Sequence, residues 1–353
     1  MYSPKQQDAW IRLARSFSSK KFWNIISKYQ CPIHAIEEFG ASYTYADLYT
    51  EKDLMLKNDC HYISYHNPDY PKLLKEIPNP PPLFYARGNL KLLSRDTLAF
   101  IGARKCSLHA ARFAGTATKQ LSNKGWILIS GMATGIDTSV HRHSLENGTI
   151  AALAGGLDQI YPKENTNLYY AILEHGGTII SENPLGAPTT PAAFHARNRV
   201  ATGIAQATIV LEAARNSGTY STARLACEYG REVFVVPGAP WDPLAAGSNS
   251  LIKNGATMIL SAHDIELAPT APTPAYTLSE DETEQISTYS PTEEKILTLL
   301  GCVPTDINDL IEELQCDSRE LNTILSEMEI QGLIKRIHNN CVLATHLHEN
   351  KGN

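Results

Sequence analysis

Short apolar runs recur through the middle of the chain, each closing on glycine, serine, proline or a small polar cluster: TLAFIG at 97–102, WILIS at 126–130, GTIAALAG at 148–155, GTIIS at 177–181, ATIVLEA at 207–213 and EVFVVPG at 232–238. Continuous runs of this length, separated by stretches of helical periodicity, are the pattern of buried parallel strands joined by crossover helices. They predict an α/β domain over residues 80–265, a Rossmann-like, doubly wound, mostly parallel sheet. Upstream, apolar positions fall at helical spacing in short pieces, Trp10, Ile11, Leu13, Ala14 and Phe17, then Phe22, Trp23, Ile25, Ile26 and Tyr29. Residues 1–70 therefore read as a small N-terminal helical domain, of the SAM or helix-hairpin-helix kind. Pro80, Pro81 and Pro82 forbid helix between the two and force an extended chain. After 265 the periodicity stops. Residues 270–289, TAPTPAYTLSEDETEQISTY, have linker composition. A helix, further helices over Thr305–Glu313 and Ser318–Gln331, and two short strands at 333–337 and 341–344 then predict a C-terminal winged-helix domain over 290–345.

Composition is that of a globular protein, 43% hydrophobic and 19% charged over 353 residues, with a formal net charge of −6. The average hides an asymmetry. Residues 280–353 carry 15 acidic and 5 basic side chains, so the winged-helix end is at −10 and the remainder at +4. The seven cysteines form no CxxC pair, which argues against a zinc site or a disulfide framework, and no metal or cofactor is expected. Lys5, Gln6, Gln7 and Asp8 interrupt the start of the chain, unlike a signal peptide, and no run approaches the roughly 20 apolar residues that span a bilayer. A cytoplasmic location and no membrane partner follow as expectations.

In a doubly wound sheet, ligands bind outside the carboxyl ends of the strands, so the residues after each apolar run carry the candidate chemistry. After the first come Gly102, which lets the backbone approach a ligand, Arg104, a planar fork for phosphate, and Ser107, placed to cap a helix. The second yields Ser130, Gly131 and Gly135, small residues opening a helix whose amino end suits an anion. Lys163 follows the third run, and the fourth leads into Phe194-His195-Ala196-Arg197-Asn198-Arg199. Glu212 with Asn216-Ser217-Gly218-Thr219, and Pro237-Gly238, close the series. Neither G-x-G-x-x-G nor G-x-x-x-x-G-K-[ST] is present, so dinucleotide and nucleoside triphosphate fingerprints fail. Several phosphate-friendly loops with Arg104, Lys163, Arg197 and Arg199 suit a chain of phosphates better than one.

The run from Pro81-Pro82-Leu83-Phe84-Tyr85 and Gly88 through IGARKCS, SGMATGID with His141, GGLDQIYPKEN, GTIISENPLG, FHARNR, VLEAARNSGT and VPGAP to NSLIKNGA closely resembles the DNA-processing protein A (DprA, also Smf) family. The resemblance covers about 180 residues in order. It implies a protein that binds single-stranded DNA without sequence preference, hands it to the RecA recombinase during natural transformation, and forms a homodimer; cleavage chemistry is not implied. The family's DNA pocket carries over onto Gly102, Arg104, Ser130, Gly131, Gly135 and Lys163, with Arg197 and Arg199 as supports. Thr134 stands where the family usually has Arg, and Val140 where it usually has Ala.

Each of these residues also has a plainer reading. The glycines serve as tight turns, and Arg197 and Arg199 as internal ties across the rim. Asp137, Glu182 and Glu212 lack paired-carboxylate spacing and read as structural, Asp137 bonding backbone and Glu212 pairing an arginine. Phe84, Tyr85 and Tyr161 are candidates either for base stacking or for the core. Two rival functions remain open: a nucleotide-monophosphate hydrolase of the lysine-decarboxylase-like Rossmann type, whose PGGxGTxxE signature is absent, and a transcription regulator acting through the winged helix, which the charge of −10 opposes. Protein docking suits that acidic unit better.

Overall fold

A computed structural model describes residues 2–269, 305–314, 316–330, 333–337 and 341–344, together with Thr292, Glu293 and Ile296. The chain divides into two compact units, Met1–Ala275 and Tyr276–Asn353.

The first unit opens with four helices, α1 (Pro4–Ser16), α2 (Ser19–Tyr29), α3 (Pro32–Phe39) and α4 (Tyr45–Lys57). Capping boxes start two of them, Ser3 with Gln6 and Thr44 with Asp47, and α1 and α3 begin on proline, whose missing N–H costs nothing there. Trp10, Leu13, Phe22, Ile25 and Ala35 pack as their own cluster. The stretch read as wholly helical also holds a strand. Residues Cys60–Ser64 form β1, which pairs antiparallel with β2 (Leu83–Gly88) and so joins the large sheet. The proline run between them is a docking surface. The indoles of Trp10 and Trp23 donate to the carbonyls of Pro82 and Pro80 at 2.8 and 2.7 Å. Buried Glu51 ties α4 to β2 by accepting the Tyr85 hydroxyl at 2.6 Å, and it accepts Tyr43 as well.

The remaining strands are β3 (Thr97–Gly102), β4 (Ile127–Ser130), β5 (Thr149–Leu153), β6 (Thr178–Ser181), β7 (Ala207–Leu211), β8 (Glu232–Val235) and β9 (Thr257–Met258). Helices α5 (Leu108–Asn123), α6 (Ile136–Ser144), α7 (Thr166–Glu174), α8 (Pro191–Ile204), α9 (Gly218–Glu228) and α10 (Ala246–Lys253) connect them. The nine-stranded order is β1-β2-β6-β5-β4-β3-β7-β8-β9, parallel from β6 to β9. Successive residues face opposite sides. Ala99, Ile127, Ile129, Ile150 and Ile180 meet Val200, Ala201 and Ile204 of α8. Leu98, Phe100, Leu128 and Ile209 meet Ala114, Ala117 and Leu121 of α5 on the other side. Each large side chain so buried contributes about 1.5–3 kcal/mol. The strand order reverses between β3 and β7, which opens the ligand crevice of such sheets above those two strands.

The second unit contains β10 (Thr305–Asp306), α11 (Ile307–Leu314), α12 (Ser318–Ile330), β11 (Ile334–Ile337) and β12 (Cys341–Ala344). Its strands pair antiparallel in the order β10-β12-β11, over a core of Ile296, Ile307, Leu310, Leu321, Leu325 and Met328. Thr305 and Asp306, read from the sequence as helical, are strand. The expected linker, 270–289, lies outside the described residues. Among the described residues no helix is long and apolar enough to cross a membrane.

Candidate nucleic-acid interface

Four loops meet at the carboxyl rim around the crevice. The first leaves β3 at Gly102, where an added Cβ would lie 2.4 Å from Ile136 Cγ1 and 2.6 Å from the Leu211 carbonyl, so its role is close packing of β3 against α6 and β7. Arg104 then stands exposed, and Ser107 caps α5 by accepting the Ala110 N–H at 3.1 Å. Glu212, expected to pair an arginine, instead accepts the Ser107 N–H at 2.8 Å and fixes this loop from the β7 side.

The second loop is satisfied from within. Ser130 is 1% exposed and its hydroxyl donates to the Phe100 carbonyl at 2.8 Å. Asp137 bonds backbone, as its plainer reading expects: it accepts the N–H groups of Gly131 and Ala133 on Oδ2 at 3.2 Å, so these two are not free for an anion. Gly135 has φ of +80°, and a Cβ there would press on the Ala103 and Arg104 carbonyls at 2.4 and 2.5 Å. Thr134, exposed, donates its hydroxyl to the Arg104 carbonyl at 3.3 Å and couples the first two loops.

The third loop is bound to the second by buried Asn165, whose amide donates to the Met132 carbonyl at 2.8 Å and to Thr138 Oγ1 at 2.9 Å. This anchor sets exposed Lys163 and Tyr161, the latter 49% exposed, beside the second loop. Phe84 and Tyr85, at 0% and 1%, belong to the core.

The fourth loop leads into α8, where Thr190 caps the helix through the Ala193 N–H. Its first turns present Phe194, a ring that the sequence reading left out of the candidate site. The Arg104 guanidinium lies 4.8 Å from the Phe194 ring centre, that of Arg197 lies 5.6 Å away, and the Tyr161 ring meets it edge-on at 5.8 Å. Phe194 opens FHARNR, three residues before Arg197 and so on one helical face with it; that spacing was the available signal.

Arg197 and Arg199 diverge. Arg197 is buried, with Nη1 3.8 Å from Asp137 Oδ2, and its Nε and Nη1 have no hydrogen-bond partner. Burial lowers its pKa and raises that of Asp137, while each opposes the other's shift by its charge. His141 beneath them is 0% exposed, with Nδ1 3.0 Å from Thr149 Oγ1; burial, then Arg197, takes its pKa down to about 3, so the ring is neutral. Arg199 instead makes two 3.1 Å bonds to Glu182 and one of 2.7 Å to the Asn79 carbonyl. The rim thus gathers Arg104, Tyr161, Lys163 and Phe194 above a buried Arg197–Asp137 pair, and Arg199 is spent on the fold. Among the described residues no group of three or more His, Cys, Asp or Glu could hold a metal ion.

Residues 61–268 match the family described as DNA recombination-mediator protein A, and residues 269–340 match the DprA winged helix domain. The DNA processing protein DprA of Bacillus subtilis is 39% identical over 201 residues, 56% of this chain and 67% of that protein. Protein Smf of Synechocystis sp. is 32% identical over 311 residues, 78% of each chain. Among solved structures, DprA from Streptococcus pneumoniae aligns with a TM-score of 0.61 at 29% identity, over 73% of this chain and 96% of that one. DNA processing protein A from Helicobacter pylori, whose structure describes a single-stranded DNA binding mode, aligns with a TM-score of 0.52 at 30% identity, over 58% and 93%. An extended Rossmann-like sheet, a winged-helix unit and these matches lead to one conclusion: the chain belongs to the DprA (Smf) family of DNA-processing proteins.

Proposed function

We propose that this chain binds single-stranded DNA without regard to sequence along the carboxyl rim of its parallel sheet, and passes it to the RecA recombinase in DNA uptake and recombination. The observation that carries the reading is the convergence of the exposed Arg104 cation and the exposed Tyr161 ring on the half-buried Phe194 ring, with exposed Lys163 two residues beyond Tyr161 on the same loop. Cations neutralise successive phosphates, aromatic faces take bases of any identity, and neither reads sequence. The single-stranded DNA mode of the H. pylori relative agrees with it. Gly102, Ser130, Gly131 and Gly135 shape the loops, and Arg197 supports Phe194 from below; direct phosphate contact falls to Arg104 and Lys163.

Binding rather than catalysis suits the acids, since Asp137, Glu182 and Glu212 are each committed to backbone or arginine partners. Transfer to RecA, a cytoplasmic site of action and a homodimer complete the reading and rest on the family. The edge at β9, with Met258 51% and Leu260 68% exposed, is the part of the sheet we assign to a second copy.

Fluorescence anisotropy of a labelled single strand over a salt series, with duplex competitor, tests the reading on wild type and the Arg104→Ala, Lys163→Ala double variant. Loss of two phosphate contacts lowers the slope of log K against log salt by about 1.4. Unchanged binding in the double variant would move the function off this rim, and turnover of a nucleotide monophosphate would replace it with the hydrolase reading. Light scattering on the same preparations checks the homodimer, and RecA filament formation on protein-coated single strands checks the transfer.

A further inference from the structure

The loop after β8 presents a side chain that the rim cluster leaves unused. Trp241 is 85% exposed, whereas Trp10 and Trp126 are at 1% and 0%. Its loop is stiff. The Ala239 carbonyl accepts the Asp242 N–H at 3.0 Å, Asp242 Oδ1 accepts the Leu244 N–H at 2.8 Å, and the Asn249 side chain holds Gly238 by both its N–H and its carbonyl, at 3.1 and 2.9 Å. Pro240 and Pro243 restrict the backbone on either side. The indole is therefore held out from a fixed turn, at the cost of leaving a large apolar ring in water.

Its loop belongs to the same rim as the Arg104 loop. The loops after β3, β7 and β8 lie side by side on the rim and touch in series. Thr219 Oγ1 donates to the Gly102 carbonyl at 3.1 Å, Ser248 Oγ accepts the Ala213 N–H at 2.9 Å, and the Ala213 carbonyl accepts the Gly247 N–H at 2.7 Å. Two strand spacings, roughly 10 Å, separate the Arg104 loop from the Trp241 loop. Exposed Arg215 lies in the loop between them. An aromatic, a cation and a second aromatic along one rim match the alternation of bases and phosphates in a single strand.

We propose that Trp241 is a second base-stacking station and Arg215 the phosphate contact leading to it, so that the single-strand track runs from Phe194 across the β3–β7 crevice to the β8 loop. The proposal rests on the single-stranded DNA reading above. Its occupant is nucleic acid rather than a second copy of the chain, because the ring continues a line of exposed cations, Arg104 and Arg215, that would repel their own images.

Trp241 gives its own readout, as it is the one tryptophan of four that is mostly exposed. The full chain is titrated with oligothymidylates of about 4 and about 16 nucleotides, the range of single-strand site sizes, while tryptophan emission and affinity are followed. The longer strand quenches wild-type emission; Trp241→Ala binds it about 5- to 150-fold more weakly, and Trp241→Phe stays close to wild type. Arg215→Ala lowers its salt slope by about 0.7. The short strand, held at Arg104 and Phe194, binds all three variants as it binds wild type. Equal losses on both lengths, or none on the longer one, would overturn the proposal, as would a change of oligomeric state in Trp241→Ala without loss of DNA affinity. Binding that needs Arg104 and Lys163 but ignores Trp241 would sink this extension alone; no binding by wild type would sink both readings.

Discussion

At position 131 a Cβ would stand 1.1 Å from Arg197 Nη1 and 2.2 Å from its Cζ, so the guanidinium occupies the space a side chain would take. Gly131→Ala must therefore push the buried arginine away from Asp137 and from beneath Phe194, and overpacking of this kind costs about 1–3 kcal/mol. A lower melting temperature together with weaker single-strand binding is the expected result; melting unchanged from wild type would show that Arg197 moves aside freely. His141 gives a second expectation. Its pKa falls to about 3 in the fold, against 6.5 for an ordinary histidine, so on acidification the unfolded chain takes the proton first. Its contribution is intact above pH 6.5 and is lost as pH falls from there toward 3, reaching about 2 kcal/mol by pH 5. Urea unfolding at pH 7 and pH 5 should show that difference shrink in His141→Gln.

Helix α8 serves two purposes along its length. Its first turns carry Phe194 to the rim, while Arg199 fastens the helix to Glu182 after β6 and to Asn79 before β2. The two ends should separate by experiment. Arg199→Ala leaves a largely buried carboxylate without its partner and should cost about 2–4 kcal/mol of stability with the salt slope of binding unchanged. Arg104→Ala should do the reverse, measured by chemical denaturation and by anisotropy. This division also marks what was legible in the sequence. The parallel strands were, because burial on both faces writes continuous apolar runs such as ILIS and TIIS. Strand β1 was not: five residues with His61 exposed and Cys60 and Ile63 buried make too short a pattern beside four helices. Arg104 and Lys163 could be placed at strand ends, but the meeting of Phe194 with Tyr161 depends on loops more than 30 residues apart. That Asp137 bonds backbone was legible; that it takes the Gly131 and Ala133 N–H groups, which an anion would otherwise use, depends on local backbone direction.

Charge divides the molecule in the same place as its contacts. The unit from Tyr276 onward has a net charge of −10, whereas the unit before it, at +4, carries the rim cations. Phosphate attraction is supplied by Lys and Arg, so removing residues 276–353 should change single-strand affinity by less than about threefold. The isolated acidic unit should fail to retard duplex DNA at moderate salt, and loss of single-strand binding on that deletion would assign the winged helix a share of the interface.

The pairing of β3 with β7 sets an order of events during synthesis. Leu98 lies beside Ala207 and Gly102 beside Leu211, so the strand that carries the Arg104 loop has one neighbour made about a hundred residues later. At about 5–20 residues per second, the ribosome delivers that neighbour some 5–20 s after β3 itself. Until then the crevice has one wall. Tyr85 of β2 waits for Ser181 in the same way. The proposed single-strand site is therefore complete only once translation has passed β7, and until then β3 and β2 each keep an unpaired edge, the kind of non-local pairing that leaves a growing sheet exposed to misassembly.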